Sequence, residues 1–146
     1  MRETSADTPK AITERFLEAM SRLDTEAMFD ELAPDVTCEF PACPAGAPRE
    51  FCDRDSIKQF FSTMIRPMWI AFSLTHIEVH ALVGDQQQVV ANYASEGLLV
   101  DGSPYHNTYL SMFRVRHGKI ELWREYFDPA PLACGVAALQ AHVSAP

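Results

Sequence analysis

The sequence predicts one α+β domain, with helices packed on one face of a mostly antiparallel sheet. In the first half of the chain, apolar residues recur at the three- and four-residue spacing of amphipathic helices. In the second half, apolar and polar residues alternate over long segments separated by short turns. Helices followed by a run of strands are typical of α+β folds. The 146 residues suit a single domain over 1–146, with a core at about 9–129 and a tail at 130–146.

The helices are predicted from their apolar stripes and their ends. Thr8 is suited to cap the first helix, and Pro9 fits its first turn. Prolines end the second and third helices, because the residue before a proline avoids helical conformation. The first helix is predicted to begin at residue 9, and the second and third helices to cover about 24–33 and 53–66. A short strand is expected at 36–40 and a proline-rich loop at 41–52.

Four long strands are predicted in the second half. Turn sequences at Gly84-Asp85, Asp101-Gly102 and His117-Gly118 join them into a meander. The strands are expected at about 69–83, 88–100, 105–116 and 119–128.

Composition excludes several classes of function. Charged residues make up 22% of the chain and hydrophobic residues 47%, as in ordinary globular domains. The net charge of −8 and the scattered basic residues provide no stripe for nucleic acid or for anionic membranes. No apolar run is long enough to span a membrane, and the N-terminal segment lacks the apolar core of a signal peptide. We therefore expect a cytoplasmic protein without nucleic-acid or membrane partners.

Three stretches of sequence carry a family resemblance. They are AITERFLEAM with LDTEAMFDELAPDVTCEF, then DRDSIKQFF, then YHNTYLSMFRVRHGKIELWREYFD. Their order and spacing are similar to those of the nuclear transport factor 2-like superfamily, which includes ketosteroid isomerase, scytalone dehydratase, the SnoaL-like polyketide cyclases and the phenazine-biosynthesis proteins. The resemblance implies a cone-shaped, barrel-like fold in which a strongly curved sheet wraps around three helices and encloses a mostly apolar pocket. The alanine-rich tail would then be a short helix over the pocket mouth or a neighbouring subunit, or a loose segment.

The resemblance does not extend to steroid isomerisation. Ketosteroid isomerase uses two acidic residues and a tyrosine, and the equivalent positions here are Phe40, Ser111 and Phe16. The two phenylalanines imply an apolar floor that suits a flat or apolar ligand.

Glu125 is the strongest catalytic candidate. In the SnoaL-like cyclases and phenazine proteins, an acidic residue near this position projects into the cavity. Alternate strand residues share a face, so Trp123 and Phe127 would line the pocket beside Glu125. Apolar surroundings would raise its pKa and make it an acid or base near neutral pH. The alternative is a surface glutamate paired with a basic residue on the outer face.

The preceding strand carries hydrogen-bonding side chains at alternate positions. On one face they could hold a carbonyl or hydroxyl group of a ligand. Alternatively, the tyrosines only pack and the asparagine binds backbone. The residues are Tyr105, Asn107, Tyr109 and Ser111.

The strand register leaves a conflict. Simple pairing across the turn at 117–118 places Glu125 opposite Leu110, on the other face from Tyr109. The resemblance instead places Ser111 and Glu125 both inward. A β-bulge would reconcile the two.

Histidine and cysteine residues give further candidates. His76 would be a proton shuttle if its strand face points inward. His76 and His80 would lie about 13 Å apart on a strand, too far to share a metal ion. The four cysteines match no zinc or redox spacing, so we expect packed free thiols, with a catalytic thiol at Cys43 as the alternative.

These observations favour a cofactor-independent enzyme that binds no metal. Glu125 would transfer protons during cyclisation, isomerisation, dehydration or hydration of a small apolar or aromatic metabolite. Tyr109, Asn107 or His76 would orient the substrate. By analogy with the SnoaL-like group, the reaction would belong to secondary metabolism. The alternatives are a non-catalytic ligand-binding module or an accessory subunit with a filled cavity, and the resemblance implies a homodimer formed through the outer sheet face.

Overall fold

The computed structural model describes residues 7–146. Within these residues, four α-helices and six strands form the fold, with helix α1 packed against the inner face of the sheet. No helix in this part of the chain is long and apolar enough to cross a membrane. The elements in chain order are α1 (Pro9–Ser21), α2 (Thr25–Asp30), β1 (Leu32–Glu39), β2 (Glu50–Phe51), α3 (Arg54–Phe60), β3 (Trp69–Leu82), β4 (Asp85–Leu99), β5 (Pro104–Arg116), β6 (Lys119–Phe127) and α4 (Pro129–Ser144).

The six strands form one curved, unclosed sheet in the order β2-β1-β6-β5-β4-β3. All neighbouring pairs are antiparallel except β1 and β6, which are parallel. The predicted α+β fold and the predicted meander of four long strands are therefore confirmed. The ends of these four strands lie close to the predicted ones; the largest difference is at β4, which begins at Asp85.

Side-chain caps begin the first three helices. The Thr8 hydroxyl accepts a hydrogen bond from the backbone N–H of Ala11 at 3.2 Å, as predicted. Asp24 and Asp53 accept equivalent bonds at the start of α2 and α3. Each cap satisfies a backbone donor that would otherwise lack a partner in the first turn.

The second helix and first strand differ from the prediction. α2 ends at Asp30, and β1 already begins at Leu32 rather than at residue 36. Pairing with β6 explains the early start, because Leu32 lies beside Ile120 and the N–H of Ile120 donates to the carbonyl of Glu31 at 2.9 Å. This contact joins segments far apart in sequence, so a local pattern could not reveal it.

The third helical segment changes its winding along its length. After α3, residues Phe61–Ile65 form a π-helical turn and Arg66–Met68 a 3-10 turn. The prediction placed one regular helix over this region. β2 was also missed; it pairs with the end of β1 but has only two residues, too few for a visible alternation.

The tail forms a helix, α4, so the alternative of a loose segment is wrong. The Asp128 carboxylate caps it by accepting from the N–H of Ala130 at 3.0 Å. The helix packs onto the turn before β3 and onto β4 and β5, and forms a second small core made of Met68, Leu99, Tyr105, Ala138 and Leu139. The tail thus closes one side of the molecule.

Candidate active site

A β-bulge in β6 brings the functional side chains to one face of the sheet. Next to the turn, Val115 of β5 pairs with Ile120, but Arg114 pairs with Leu122. Glu121 is therefore the extra residue, and the register beyond it shifts by one. Glu125 consequently lies opposite Ser111 and not opposite Leu110. The bulge resolves the register conflict in favour of an inward Glu125.

A cavity of about 500 Å³ lies between the inner sheet face and the helices. Its walls come from the end of α1, the loop at 43–48, the α3 segment with its following turns, the strands β3, β5 and β6, and helix α4. Most of the lining is apolar. Among the described residues that line it, Glu125 is the one charged side chain, and none is Lys, Arg or His.

Glu125 is a buried member of this lining. It is only 7% exposed, and the Tyr93 hydroxyl donates to its Oε1 at 2.5 Å. Burial raises the pKa of Glu125 from its ordinary value near 4.5 to about 7, although the neighbouring hydroxyl groups of Tyr93 and Ser111 oppose the rise. Both protonation states are therefore populated near neutral pH, as an acid–base group requires.

Four other predicted site residues take part in or adjoin this arrangement. Tyr109, Trp123, Phe127 and Phe40 line the cavity together with Glu125. The Trp123 and Phe40 rings meet edge to face with centroids 5.1 Å apart. Burial keeps the Tyr109 hydroxyl protonated by raising its pKa well above the ordinary value, so it is available as a hydrogen-bond donor.

Three predicted substrate contacts lie behind the cavity wall instead, and two of them are core residues. Ser111 is fully buried and bonds the Tyr93 hydroxyl at 2.7 Å. Phe16 is fully buried in the core, where its ring meets Trp123 at a centroid distance of 4.9 Å. Neither residue is among those that line the cavity.

Asn107, the third of these residues, fixes the junction between β6 and α4. Its amide nitrogen donates to the carbonyl of Asp128 at 3.0 Å and to the Tyr105 hydroxyl at 3.1 Å. Its amide oxygen accepts from the N–H groups of Thr108 and Asp128 at 2.9 and 3.3 Å. All of its polar atoms are thus engaged with protein, which corresponds to the structural alternative stated for this residue and not to substrate binding.

His76 does not reach the cavity. It is exposed, and it sits in an irregular part of β3 where pairing shifts between Thr75 and Glu78. Its backbone has a φ of 52°, a left-handed conformation that interrupts the alternation of faces. The sequence made His76 a candidate on the assumption of regular alternation along β3, and this irregularity in β3 breaks that alternation.

Cys43, the alternative catalytic candidate, and Asp128, which precedes α4 in the chain, are both accounted for by the fold. Cys43 lines the cavity, but burial and then the nearby Glu125 raise the pKa of its thiol, so the reactive thiolate is disfavoured. Asp128 is the helix cap described above. Within residues 7–146, no group of three or more His, Cys, Asp or Glu side chains is arranged to hold a metal ion.

Two site residues on β4 were not identified from the sequence. Tyr93 and Ser95 face the inner side of the sheet, opposite Tyr109 and Asn107. The Tyr93 and Tyr109 rings stack 5.0 Å apart at 16°, and Ser95 shares a 2.9 Å hydrogen bond with the Tyr109 hydroxyl. The available signal was a pair of hydroxyl side chains two residues apart on the otherwise apolar buried face of the strand.

Comparison with known proteins gives a family match. The family model for the SnoaL-like domain matches residues 13–123. Among curated proteins, the uncharacterized protein YesE of Bacillus subtilis is 24% identical over 116 residues, which cover 79% of this chain and 78% of the relative.

Solved structures with the same fold carry several different names. An NTF2-like protein from Anabaena variabilis has a TM-score of 0.68 and 25% identity, covering 87% of this chain and 93% of its own. A candidate polyketide cyclase from Pseudomonas putida has a TM-score of 0.72 and 18% identity, covering 88% and 98%. An LEH-like epoxide hydrolase from M. tuberculosis has a TM-score of 0.61 and 20% identity, covering 92% and 94%. One fold thus serves proteins of different names, so the reaction has to be argued from the site.

Proposed function

Because the chain belongs to the SnoaL-like domain family, we propose that it is an enzyme that transfers protons within a small apolar or aromatic metabolite bound in the cavity. The reaction is a cyclisation, isomerisation, dehydration or hydration that needs no cofactor. The observation that carries the proposal is the buried Glu125 carboxyl group, the one charged side chain among the described cavity residues, with a pKa of about 7.

Glu125 suits both halves of such a reaction. As a carboxylate it removes a proton from a carbon or a water molecule, and as a carboxylic acid it returns that proton to a different atom of the substrate. A group whose pKa lies near the working pH serves both steps, and general acid–base catalysis of this kind contributes about 10²–10⁴-fold in rate. Holding a flexible substrate in one reactive shape against the aromatic walls adds to the rate.

The charge of the lining favours a neutral substrate. An anionic ligand would lie beside ionised Glu125 with no basic side chain among the described lining residues to balance it. Tyr105 and Tyr109 place hydroxyl groups on the same wall as Glu125, so they are suited to bind an oxygen atom of the ligand. The substrate class is therefore a compact, mostly apolar molecule with an oxygen function on one edge.

Deuterium incorporation into simple ketones tests the proposal, because proton transfer to and from carbon leaves a direct isotopic record. A panel of neutral aryl ketones and enones is incubated with the protein in heavy water, and exchange at carbon next to the carbonyl is followed by NMR. We expect exchange with members of the panel that bind, and a loss of about 10²-fold or more in Glu125→Gln. Glu121→Gln, on the same strand but outside the cavity lining, is the matched control and should retain the exchange.

The same experiment separates the proposal from its main alternative. Ligand binding without exchange in the wild type, or exchange that persists in Glu125→Gln, would contradict proton transfer by Glu125. The first of these results favours a non-catalytic ligand-binding module. An accessory subunit is less well supported, because it predicts a cavity filled by side chains, whereas about 500 Å³ lies within the usual range for ligand pockets.

We also propose a homodimer formed through the outer face of the sheet. Leu110 of β5 and Tyr126 of β6 are paired neighbours on that face and are 50% and 43% exposed. Adjacent exposed apolar side chains on the outer surface of a sheet are typical of a contact with a second chain.

A further inference from the structure

A short chain of hydroxyl groups connects the sheet to one oxygen of Glu125. The Tyr93 hydroxyl donates to Oε1 of Glu125, and the Ser111 hydroxyl lies 2.7 Å from the oxygen of Tyr93. An ionised carboxylate can only accept, and a tyrosine has one hydroxyl proton. Tyr93 therefore donates a hydrogen bond to Glu125, and Ser111 donates a hydrogen bond to Tyr93. The donors point in one direction, from the sheet towards the carboxyl group.

Tyr93 is rigidly held in this position. It is only 3% exposed and does not line the cavity. Its ring stacks on Tyr109, and its backbone pairs with that residue across β4 and β5. A ligand in the cavity therefore meets Glu125 and not Tyr93.

We propose that Tyr93 is a positioning residue that holds Oε1 of Glu125 against the sheet and leaves Oε2 as the oxygen that exchanges protons with the substrate. This inference rests on the proposed function, because it names the atom of Glu125 that does the chemistry. When Glu125 acts as a base, the bond from the substrate to hydrogen breaks, a bond from Oε2 to that hydrogen forms, and the electron pair stays on the substrate. When Glu125 acts as an acid, the same proton leaves Oε2 for another substrate atom.

A hydroxyl partner suits a carboxyl group that must change its protonation state. Tyr93 can donate to Oε1 whether Oε2 is ionised or protonated, so the bond is kept through both steps. An arginine or lysine partner would favour the ionised state strongly and oppose protonation. The hydroxyl pair instead lowers the pKa of Glu125 only part of the way against the effect of burial.

The other groups near Glu125 are neutral at working pH. From β5 these are Tyr105 and Tyr109, from β1 Cys38, and from the loop after β1 Cys43; burial raises the pKa of all four. None of these four side chains carries a positive charge that would stabilise ionised Glu125 in place of Tyr93. The titration of Glu125 should therefore respond to Tyr93 more than to any of these four.

The test is the titration of Glu125 in the ligand-free protein. Glutamate is labelled with ¹³C at the side-chain carboxyl carbon, and Glu125 is assigned from its absence in Glu125→Gln. We expect the apparent pKa of Glu125 to rise by about one unit or more in Tyr93→Phe, because a hydrogen bond to a charged group is lost while the ring is kept. Tyr126→Phe is the same change at the residue that follows Glu125 in the chain, whose side chain lies on the outer face of the sheet. This variant should leave the pKa of Glu125 unaltered.

An unchanged titration in Tyr93→Phe would overturn the inference, since a residue that only fills space would alter stability and not this pKa. If Tyr93→Phe does not fold, Ser111→Ala replaces it; removing the donor behind Tyr93 should move the pKa in the same direction by a smaller amount, and no movement would overturn the inference equally. The measurement involves no substrate. A shifted pKa together with no proton exchange on any ligand would therefore refute the proposed function and leave the role of Tyr93 standing.

Discussion

Glu125 combines two properties that oppose each other at the level of a single residue. Its burial makes it useful for proton transfer, but the same burial destabilises the folded protein whenever the group is ionised. The pKa is about 7 in the folded protein and near 4.5 ordinarily. In the unfolded chain the group thus loses its proton at lower pH, so folding stability falls as pH rises from about 4.5 through 7 and the penalty is complete above that range.

This linkage predicts the effect of Glu125→Gln on stability. The difference between the two pKa values corresponds to about 3 kcal/mol. We expect the glutamine variant to gain up to about this amount relative to the wild type at pH 8.5, with little of that gain at pH 4.5. Urea denaturation at both pH values measures it.

The control for this prediction is Glu121→Gln on the same strand. Glu121 is partly exposed and ion-paired with Arg116 at 3.6 Å, and a surface pair of this kind contributes little to stability. If Glu125→Gln and the wild type lose stability in parallel between the two pH values, Glu125 is not a desolvated carboxyl group.

At the level of elements, α4 depends on a close approach at Gly135. A Cβ atom at this position would lie 2.9 Å from Sδ of Met68 and 3.4 Å from Cδ2 of Leu99. Both partners belong to the small core that holds the helix against the sheet. Since α4 also supplies part of the cavity wall, its position sets the shape of the site.

We therefore expect Gly135→Val to displace α4 and to reduce the free energy of unfolding by about 1–3 kcal/mol, as overpacking does elsewhere. Hydrogen exchange should show faster exchange of the α4 amides. Ala141→Val places the same side chain at an exposed position of the same helix and should preserve their protection. Equal protection in the two variants would mean that α4 is not held by this contact.

At the level of the whole molecule, the two proposed roles lie on opposite faces of the curved sheet. The inner face carries Glu125 and the cavity, and the outer face carries the exposed pair Leu110 and Tyr126. Successive strand residues point to opposite faces. A substitution on the outer face can therefore alter the proposed dimer contact without altering the side chains that line the cavity.

The proposed dimer is tested by Leu110→Lys. A charge in the centre of an apolar contact is not satisfied there, so we expect the variant to sediment as a monomer of about 16.4 kDa while the wild type sediments at twice that mass. Val83→Lys changes a fully exposed apolar residue in the turn between β3 and β4 and should remain dimeric. A wild type that sediments as a monomer would refute the dimer without affecting the proposal for Glu125.

The sequence by itself determined the fold class, the order of the long strands and of the first three helices, and the choice of Glu125 as the central candidate. Helical stripes, caps such as Thr8 and strand alternation are local features, because they follow from the periodicities of helix and strand. The walls formed by Trp123 and Phe127 followed from the same alternation once Glu125 was placed inward. Resemblance to a family supplied the inward direction, which alternation alone cannot give.

Only the tertiary structure decided which side chains meet. The bulge at Glu121 sets Glu125 opposite Ser111, and the irregularity at His76 removes that histidine from the site. Tyr93 reaches Glu125 although 32 residues separate them, and Asn107 is engaged by the backbone at the start of α4. Strand register and long-range contacts depend on pairing between distant segments, and a one-residue slip changes the face of every side chain beyond it. For that reason the sequence and its family resemblance made Glu125 the candidate, but the pairing of the strands decided its partners.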